Sequence, residues 1–527
     1  MTSTASHPRV LARKKLPIGI QTLAKLREDG CYYVDKTGLA MRLVAEGSHY
    51  FLSRPRRFGK SLLLDTLKEL FEGNRALFTG LAAEPVWDWA QKYPVIRISF
   101  GAGVVSSRDG LNHVLHQQLS HHEARWALPP AFDDFRSRFL DLIERIHTQT
   151  GQRVVVQVDE YDKPILDNIE KTAVALEVRE GLKDFYTVIK DSDAHIRFAF
   201  LTGVSKFSKV SLFSGLNNLK DITLDERYSA LCGYTDADVD NVFAAELPGL
   251  DRDLIRNWYN GYNWLGTPVY NPFGLLLLFD TRKIRPHWFE TGTPTFLIKL
   301  LQQRQAFTPD LSRIVASDTL LSTFDVDNIP TEALMFQAGY LTVDTVRELP
   351  GRMQLTLKYP NLEVQSALNT SLLQSLTGSL SLPGPKITQL YDLLGAQDFA
   401  GLKTLFHAFY ASIANDWYRK NKLSSYEGYY ASIFYSYFAA MGVEIKLEDP
   451  TNVGRIDMTV LFVGQVFLFE FKVVEMNPNG SALQQLKDMA YADKYRSRGE
   501  PIHLIGVEFS KVSRNIVGFG VETLSAQ

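Results

Sequence analysis

Four short apolar runs, Tyr50–Ser53, Val95–Phe100, Val154–Asp159 and Ile196–Thr202, are separated by stretches of helical periodicity that begin at Lys60, Asp109, Phe132 and Leu176. Strands that alternate with helices cannot pair through tight hairpins. They predict a mostly parallel sheet covered by helices on both faces. Sheets of this kind bind ligands beyond the carboxyl ends of their strands.

The first strand leads into S-R-P-R-R-F-G-K-S-L-L-L (53–64). A helix opening at Lys60, with Leu63, Leu67 and Leu70 on one stripe, presents unpaired N–H groups and a positive dipole end to a phosphate. In such a loop Lys60 neutralises β/γ-phosphate charge, Ser61 holds Mg²⁺ and Gly59 lets the backbone come close. The full pattern wants glycine at position 54, which holds Arg54. G-K-S alone is a weak match; its strand–loop–helix setting and a second motif strengthen it. The strand V-V-V-Q-V-D-E (154–160) ends in two carboxylates, Asp159 for the Mg²⁺ side and Glu160 to activate the attacking water. The plainer alternative is an acidic pair opening a surface loop, with Asp159 as a helix cap. The expected nucleotide set is Arg57, Gly59, Lys60, Ser61 and Asp159, with ATP and Mg²⁺ as cofactors and Glu160 as the catalytic base. Thr202 to Ser205 reads equally as a γ-phosphate sensor or as a turn after a core strand. No arginine, Arg227 included, is singled out as a finger.

At 527 residues the chain is too long for one core. Its net charge of -2 supplies no overall basic field of the kind that announces a nucleic-acid binder. Cys31 and Cys232 are expected as free buried thiols in a reducing compartment. The first fifteen residues contain no apolar core of a signal peptide, and the apolar stretch Gly274–Phe279 is far short of a bilayer span. A cytoplasmic protein without a membrane partner is expected.

Near the C-terminus, residues 454–472 read G-R-I-D-M-T-V-L-F-V-G-Q-V-F-L-F-E-F-K. With Gly464-Gln465 as a type II′ turn, Asp457 faces Lys472 and Thr459 faces Glu470. Alternation then puts Asp457, Glu470 and Lys472 on one face, and Met458, Val460, Phe462, Phe467, Phe469 and Phe471 on the other. Asp457 and Glu470 are candidate oxygen ligands for Mg²⁺, which would polarise a phosphodiester, while Lys472 would stabilise the attacking hydroxide. The residues alone allow a second reading, a surface ion pair between Asp457 and Lys472.

Several long motifs together resemble a known family. Y-Y-V-D-K-T (32–37), R-P-R-R-F-G-K-S, V-V-V-Q-V-D-E-Y-D-K-P and L-F-S-G-L-N-N-L-K-D-I-T-L (212–224) are similar to the bacterial AAA-ATPase-like proteins that carry a C-terminal domain of the PD-(D/E)XK nuclease superfamily. W-Y-N-G-Y-N-W (258–264) and V-Y-N-P-F (269–273) resemble that family's connecting region. The resemblance implies that Arg54 is the family's own loop residue. It also implies that G-R-I-D and F-E-F-K form the D…E-x-K core, with Glu427 as the first-helix acid and Gln485 and Tyr491 on the following helix.

The fold expected is α/β: a P-loop domain (1–232), a mainly helical lid or connecting region (233–380), a linker (381–400) and a restriction-endonuclease-like domain (401–527). S-L-T-G-S-L-S-L-P-G-P-K (375–386) is the most linker-like run. The leading function is an ATPase coupled to a Mg²⁺-dependent nuclease acting on nucleic acid, DNA rather than RNA, in a chain able to form homo-oligomers. Against this, Gly401–Gln527 carries thirteen basic and thirteen acidic residues, where a DNA-gripping domain usually presents a basic face. The first rival is an ATP-regulated binding or signalling protein whose nuclease fold is non-catalytic. A small-molecule phosphotransferase would leave the C-terminal carboxylates without a role.

Overall fold

The structure is a computed structural model that describes residues 12–207, 218–289, 313–321, 330–377, 383–412 and 427–525, together with 297–298, 300–301 and 326. It divides into two compact units, one of residues 1–288 with 315–360, the other of 289–314 with 361–527.

In the first unit β1 (His49–Ser53), β2 (Val95–Ser99), β3 (Val154–Asp159), β4 (Ile196–Gly203) and the short β5 (Lys220–Asp221) form one sheet in the order β2-β3-β4-β1-β5. Every pairing is parallel, as the strand–helix alternation requires. Helices α1 (Lys60–Phe71), α2 (Arg108–Arg125), α3 (Phe135–Thr150) and α4 (Thr172–Asp191) connect the strands. β1 and β3 are buried along their whole length, which is why they read as continuous apolar runs rather than alternating ones. The strand order places β4 between the loop-bearing β1 and the acidic β3, so both motifs reach the same end of the sheet.

The middle of the chain is less uniformly helical than expected. After α5 (Pro272–Thr281), strands β6 (Ile314–Ser317), β7 (Thr342–Leu349) and β8 (Arg352–Lys358) make a three-stranded sheet. The missed signal was Pro350-Gly351, a turn dipeptide between two β-rich runs, with Gly351 left-handed at φ 79°.

In the second unit α6 (Leu362–Thr377), α7 (Pro383–Gly395), α8 (Phe399–Ser412) and α9 (Glu427–Met441) precede a sheet. Its strands are β9 (Glu444–Pro450), β10 (Arg455–Phe462), β11 (Gln465–Val474), β12 (Ile502–Ser510) and β13 (Asn515–Leu524), in the order β13-β12-β11-β10-β9. β11 and β12 are parallel; the other neighbours are antiparallel. Most of the expected 381–400 linker is helix instead. Leu390 and Leu394 of α7 are buried in the same core as Phe434, Phe438 and Phe469, and that burial outweighs the Pro and Gly at the start of the segment. Pro383 stands at the start of α7, where its missing N–H costs the helix nothing. The remainder of the 375–386 run, residues 378–382, lies outside the described residues.

Both cysteines are free and buried. Among the described residues no helix is long and apolar enough to cross a membrane.

Candidate functional sites

The loop Arg54–Gly59 leaves β1 and enters α1 through Gly59, which is left-handed at φ 90°. Arg54 does not line the mouth of this loop. Its side chain is fully buried, donating to the carbonyl oxygens of Ser53 and Thr223 at 2.9 Å and of Tyr228 at 3.3 Å. The guanidinium lies 4.0 Å from the centre of the Trp264 ring. Burial pulls its pKa down to about 10. Phe58 packs edge-on against Tyr262 and Trp264 of the W-Y-N-G-Y-N-W segment, with ring centres 4.8 and 5.4 Å apart. That segment is therefore a brace for the loop. Asn271 of V-Y-N-P-F caps α5 through Phe273 and Gly274 and reaches the Arg56 carbonyl. Arg57, left-handed at φ 68°, is exposed and lies over the Phe273 ring at 4.8 Å.

Lys60 is buried and donates to the carbonyl oxygens of Arg54 and Pro55 at 2.9 and 3.0 Å. Burial lowers its pKa, and the nearby Asp159 and Asp162 act in the opposite direction. Asp159 ends β3 with 3% of its surface exposed. Its Oδ2 accepts from Arg97 at 3.1 Å, and its buried Oδ1 has no hydrogen-bond partner among the described residues. It caps no helix there. An unpartnered buried carboxylate oxygen suits an oxygen-ligated cation, so Asp159 and Ser61 are the residues that would hold Mg²⁺ with a nucleotide. Glu160 follows at φ 52°, a left-handed backbone that L-residues adopt at a cost of about 1–2 kcal/mol. Strain of this kind clusters at working sites.

The polar end of β4 holds structure together. Thr202 is buried and its hydroxyl donates to the Leu52 carbonyl, while the Ser205 N–H donates to Asp162 at 2.5 Å. Arg227 pairs with Asp225 and Glu46 at 2.6 and 3.0 Å, so its guanidinium is engaged by two carboxylates. Of the 212–224 motif only residues 218–224 are described. Asp162 and Arg97 escaped sequence reasoning. Asp162 stood three residues past Asp159 in V-D-E-Y-D, and Arg97 was a lone cation in an apolar strand.

In the second unit the turn between β10 and β11 is Val463-Gly464, both left-handed at φ 47° and 68°, as a type I′ turn requires. Leu461 pairs with Val466 and Met458 with Phe469, so the facing pairs differ from those counted with a Gly464-Gln465 turn. The change moves one residue on each strand and preserves which residues share a face. Met458, Val460, Phe467, Phe469 and Phe471 do pack into the core below α9.

Pairing stops at Met458–Phe469, and beyond it the Asp457 Oδ2 accepts from the Phe471 N–H at 2.8 Å. Its carboxylate thus sits beside the Glu470–Phe471 peptide. Glu470 is buried; its Oε1 accepts from Lys472 Nζ at 3.3 Å and from Gln485 Nε2. Gln485 reaches it because α10 (Ser481–Asp488) lies directly on β12 at Gly506, where an added Cβ would stand 2.2 Å from the Leu483 nitrogen. Glu508, paired with Lys472 across the sheet, accepts from the Asn479 N–H just before that helix and from the Ala482 N–H in its first turn, and so fixes it. Asp457, Glu470, Lys472 and Gln485 are therefore brought together. Tyr491 is buried in the apolar layer with Leu486 and Tyr495. The one helix expected to carry both Gln485 and Tyr491 breaks at Ala490, left-handed at φ 48°, and Tyr491 opens a 3₁₀ segment instead. Thr459 donates to Asp449, a buried carboxylate that Tyr495 and Lys494 also hold and that sequence reading passed over. Glu427 opens α9, and its side chain lies outside the described residues. No group of three or more His, Cys, Asp or Glu side chains poised for a metal occurs among the described residues. Two carboxylates suit a hard cation that completes its shell with water and phosphate oxygens.

Residues 17–213 match a family model described as predicted AAA-ATPase, and residues 425–519 match the PD-(D/E)XK nuclease superfamily. The chain is 62% identical over 515 residues to a protein of Azotobacter chroococcum mcd 1 described as "Uncharacterized protein in vnfD 5'region", covering 98% of this chain and all of that one. The chain belongs to the AAA-ATPase-like proteins with a C-terminal PD-(D/E)XK domain. No solved structure matches it. Within this family assignment the parallel sheet is the ATPase-like domain and the β9–β13 sheet is the nuclease-superfamily domain.

Proposed function

We propose that this protein binds and hydrolyses ATP at the Lys60–Asp159–Glu160 site and cleaves nucleic acid at the Asp457–Glu470–Lys472 site. The observation that carries the nuclease reading is Glu470: a buried carboxylate midway along β11, touched by Lys472 and Gln485 and flanked by Asp457. Mg²⁺ bound there would supply the polarisation of a phosphodiester. Asp457 and Glu470 would ligate the cation, with Glu427 as the third acid; Lys472 would stabilise the developing charge, and Gln485 would orient Glu470. In the ATPase-like domain Lys60 would exchange the loop carbonyls for phosphate oxygens, and Glu160 would take the proton of the attacking water.

The test is cleavage of labelled DNA and RNA by the purified protein with Mg²⁺, with and without ATP, against binding in EDTA. Magnesium-dependent cleavage lost in Glu470→Ala supports the reading, and DNA is the expected substrate.

A second reading has its own observation. Lys446, Arg455, Lys487, Lys494, Arg496 and Arg498 each form an ion pair with a neighbouring acid. Cations already paired give a weak grip on a phosphate backbone. This favours an ATP-regulated binding protein whose nuclease-like domain engages its partner without cutting. Binding in EDTA with no cleavage on any substrate would select it.

A further inference from the structure

Arg97 belongs to neither nucleotide motif, yet it touches both. From β2 its guanidinium reaches Asp159 Oδ2 at 3.1 Å, the Ser61 carbonyl oxygen at 3.4 Å and Asp65 Oδ1 at 3.5 Å. Ser61 and Asp65 lie on α1 and Asp159 on β3, so one side chain spans the two elements that carry the cation-ligating candidates. Asp65 is 5% exposed and is itself held by the Leu23 N–H at 2.7 Å. The far oxygen of Asp159, Oδ1, is buried and has no hydrogen-bond partner among the described residues.

We propose that Arg97 is a positioning residue for the nucleotide-bound cation: it clamps one oxygen of Asp159 to the helix bearing Ser61 and leaves the other oxygen for Mg²⁺. The inference rests on the nucleotide reading of this site. A carboxylate turns easily about its last bond, and a donor on one oxygen removes that freedom before the cation arrives. Metal-ligating carboxylates are commonly oriented by such partners, and losing them costs about 10–100-fold in metal affinity. An arginine close to a dication would also repel it. Asp65, ion-paired with Arg97, offsets that charge.

The experiment titrates Mg²⁺ into the full-length protein with a fluorescent ATP analogue and reads nucleotide binding, not turnover. For Arg97→Lys and Arg97→Gln the Mg²⁺ concentration giving half of the affinity gain should rise about 10–100-fold, while affinity in EDTA stays at the wild-type value. Asp65→Asn, which can still accept from Leu23 but no longer balances Arg97, should raise it too. If Arg97→Gln melts early, Arg97→Lys carries the test. An unchanged Mg²⁺ requirement, even with a lowered melting temperature, makes Arg97 purely structural and overturns the proposal. A lower requirement makes it a competitor of the cation and overturns it equally. Failure of the wild type to bind nucleotide with Mg²⁺ would remove the nucleotide reading as well, so the two failures are distinct.

Discussion

Lys60 donates to the carbonyl oxygens of Arg54 and Pro55, the first two residues of its own loop, at 2.9 and 3.0 Å. Those bonds keep a buried ammonium satisfied, and a phosphate must offer more than two carbonyls to draw it away. Lys60→Ala should abolish nucleotide-dependent stabilisation. In the wild type, ATP at about 100 times its dissociation constant should add about 2.7 kcal/mol. Thermal denaturation with and without ATP measures it, and an equal shift in the variant would refute the role of Lys60.

Replacing Arg54 by glycine restores the common loop pattern and should make this protein worse. Three carbonyls lose their donor and Trp264 loses its cation, changes worth about 2–4 kcal/mol against the relief of a buried charge. Arg54→Gly should therefore melt lower and bind ATP more weakly. A variant as stable as wild type would mean the buried guanidinium contributes nothing.

Glu160→Gln keeps the side chain's size and removes the base. ATP binding should persist while hydrolysis falls by about 10²–10⁴-fold, the usual contribution of a positioned general base. Steady-state phosphate release decides this, and wild-type turnover would move the base elsewhere.

At the second site, Asp457→Ala and Glu470→Ala should each abolish cleavage. Lys472→Ala should slow it by about 10²–10³-fold, by analogy with losing one preorganised stabilising group. None should alter ATP hydrolysis measured without nucleic acid. Phe469→Ala, on the core face beside Phe434 and Phe438, should instead cost about 3–5 kcal/mol of stability. Cleavage at the wild-type rate by both carboxylate variants would refute Asp457 and Glu470 as the cation-holding pair.

His503 is fully buried between Gln465 and Thr523, and burial lowers its pKa below the ordinary 6.5. The unfolded chain then takes up its proton at a higher pH than the folded one. Stability from this group is complete above about 6.5 and is lost as pH falls through the lower folded value. Melting temperature should drop on acidification below that point, and His503→Gln should flatten the profile. An unchanged slope would exclude His503 as the source.

Periodicity and local chemistry were enough to locate β1, β3 and β4 to within a residue, because a strand buried on both faces must be apolar along its length. They also placed Asp457, Glu470 and Lys472 on one face, since alternation depends on parity and survives the wrong turn. The sequence could not say where Arg54 points. That depended on carbonyls of Thr223 and Tyr228 and on Trp264, brought near by the fold from well over a hundred residues away. The hairpin turn rested on the left-handed backbone of Val463, which a β-branched residue rarely adopts and no propensity would select. Arg97, Asp162 and Asp449 were invisible for the same reason: each earns its place through partners on other elements. Residue type and spacing report what a side chain can do, whereas contacts between distant elements decide which charges are clamped, buried or left with an open oxygen.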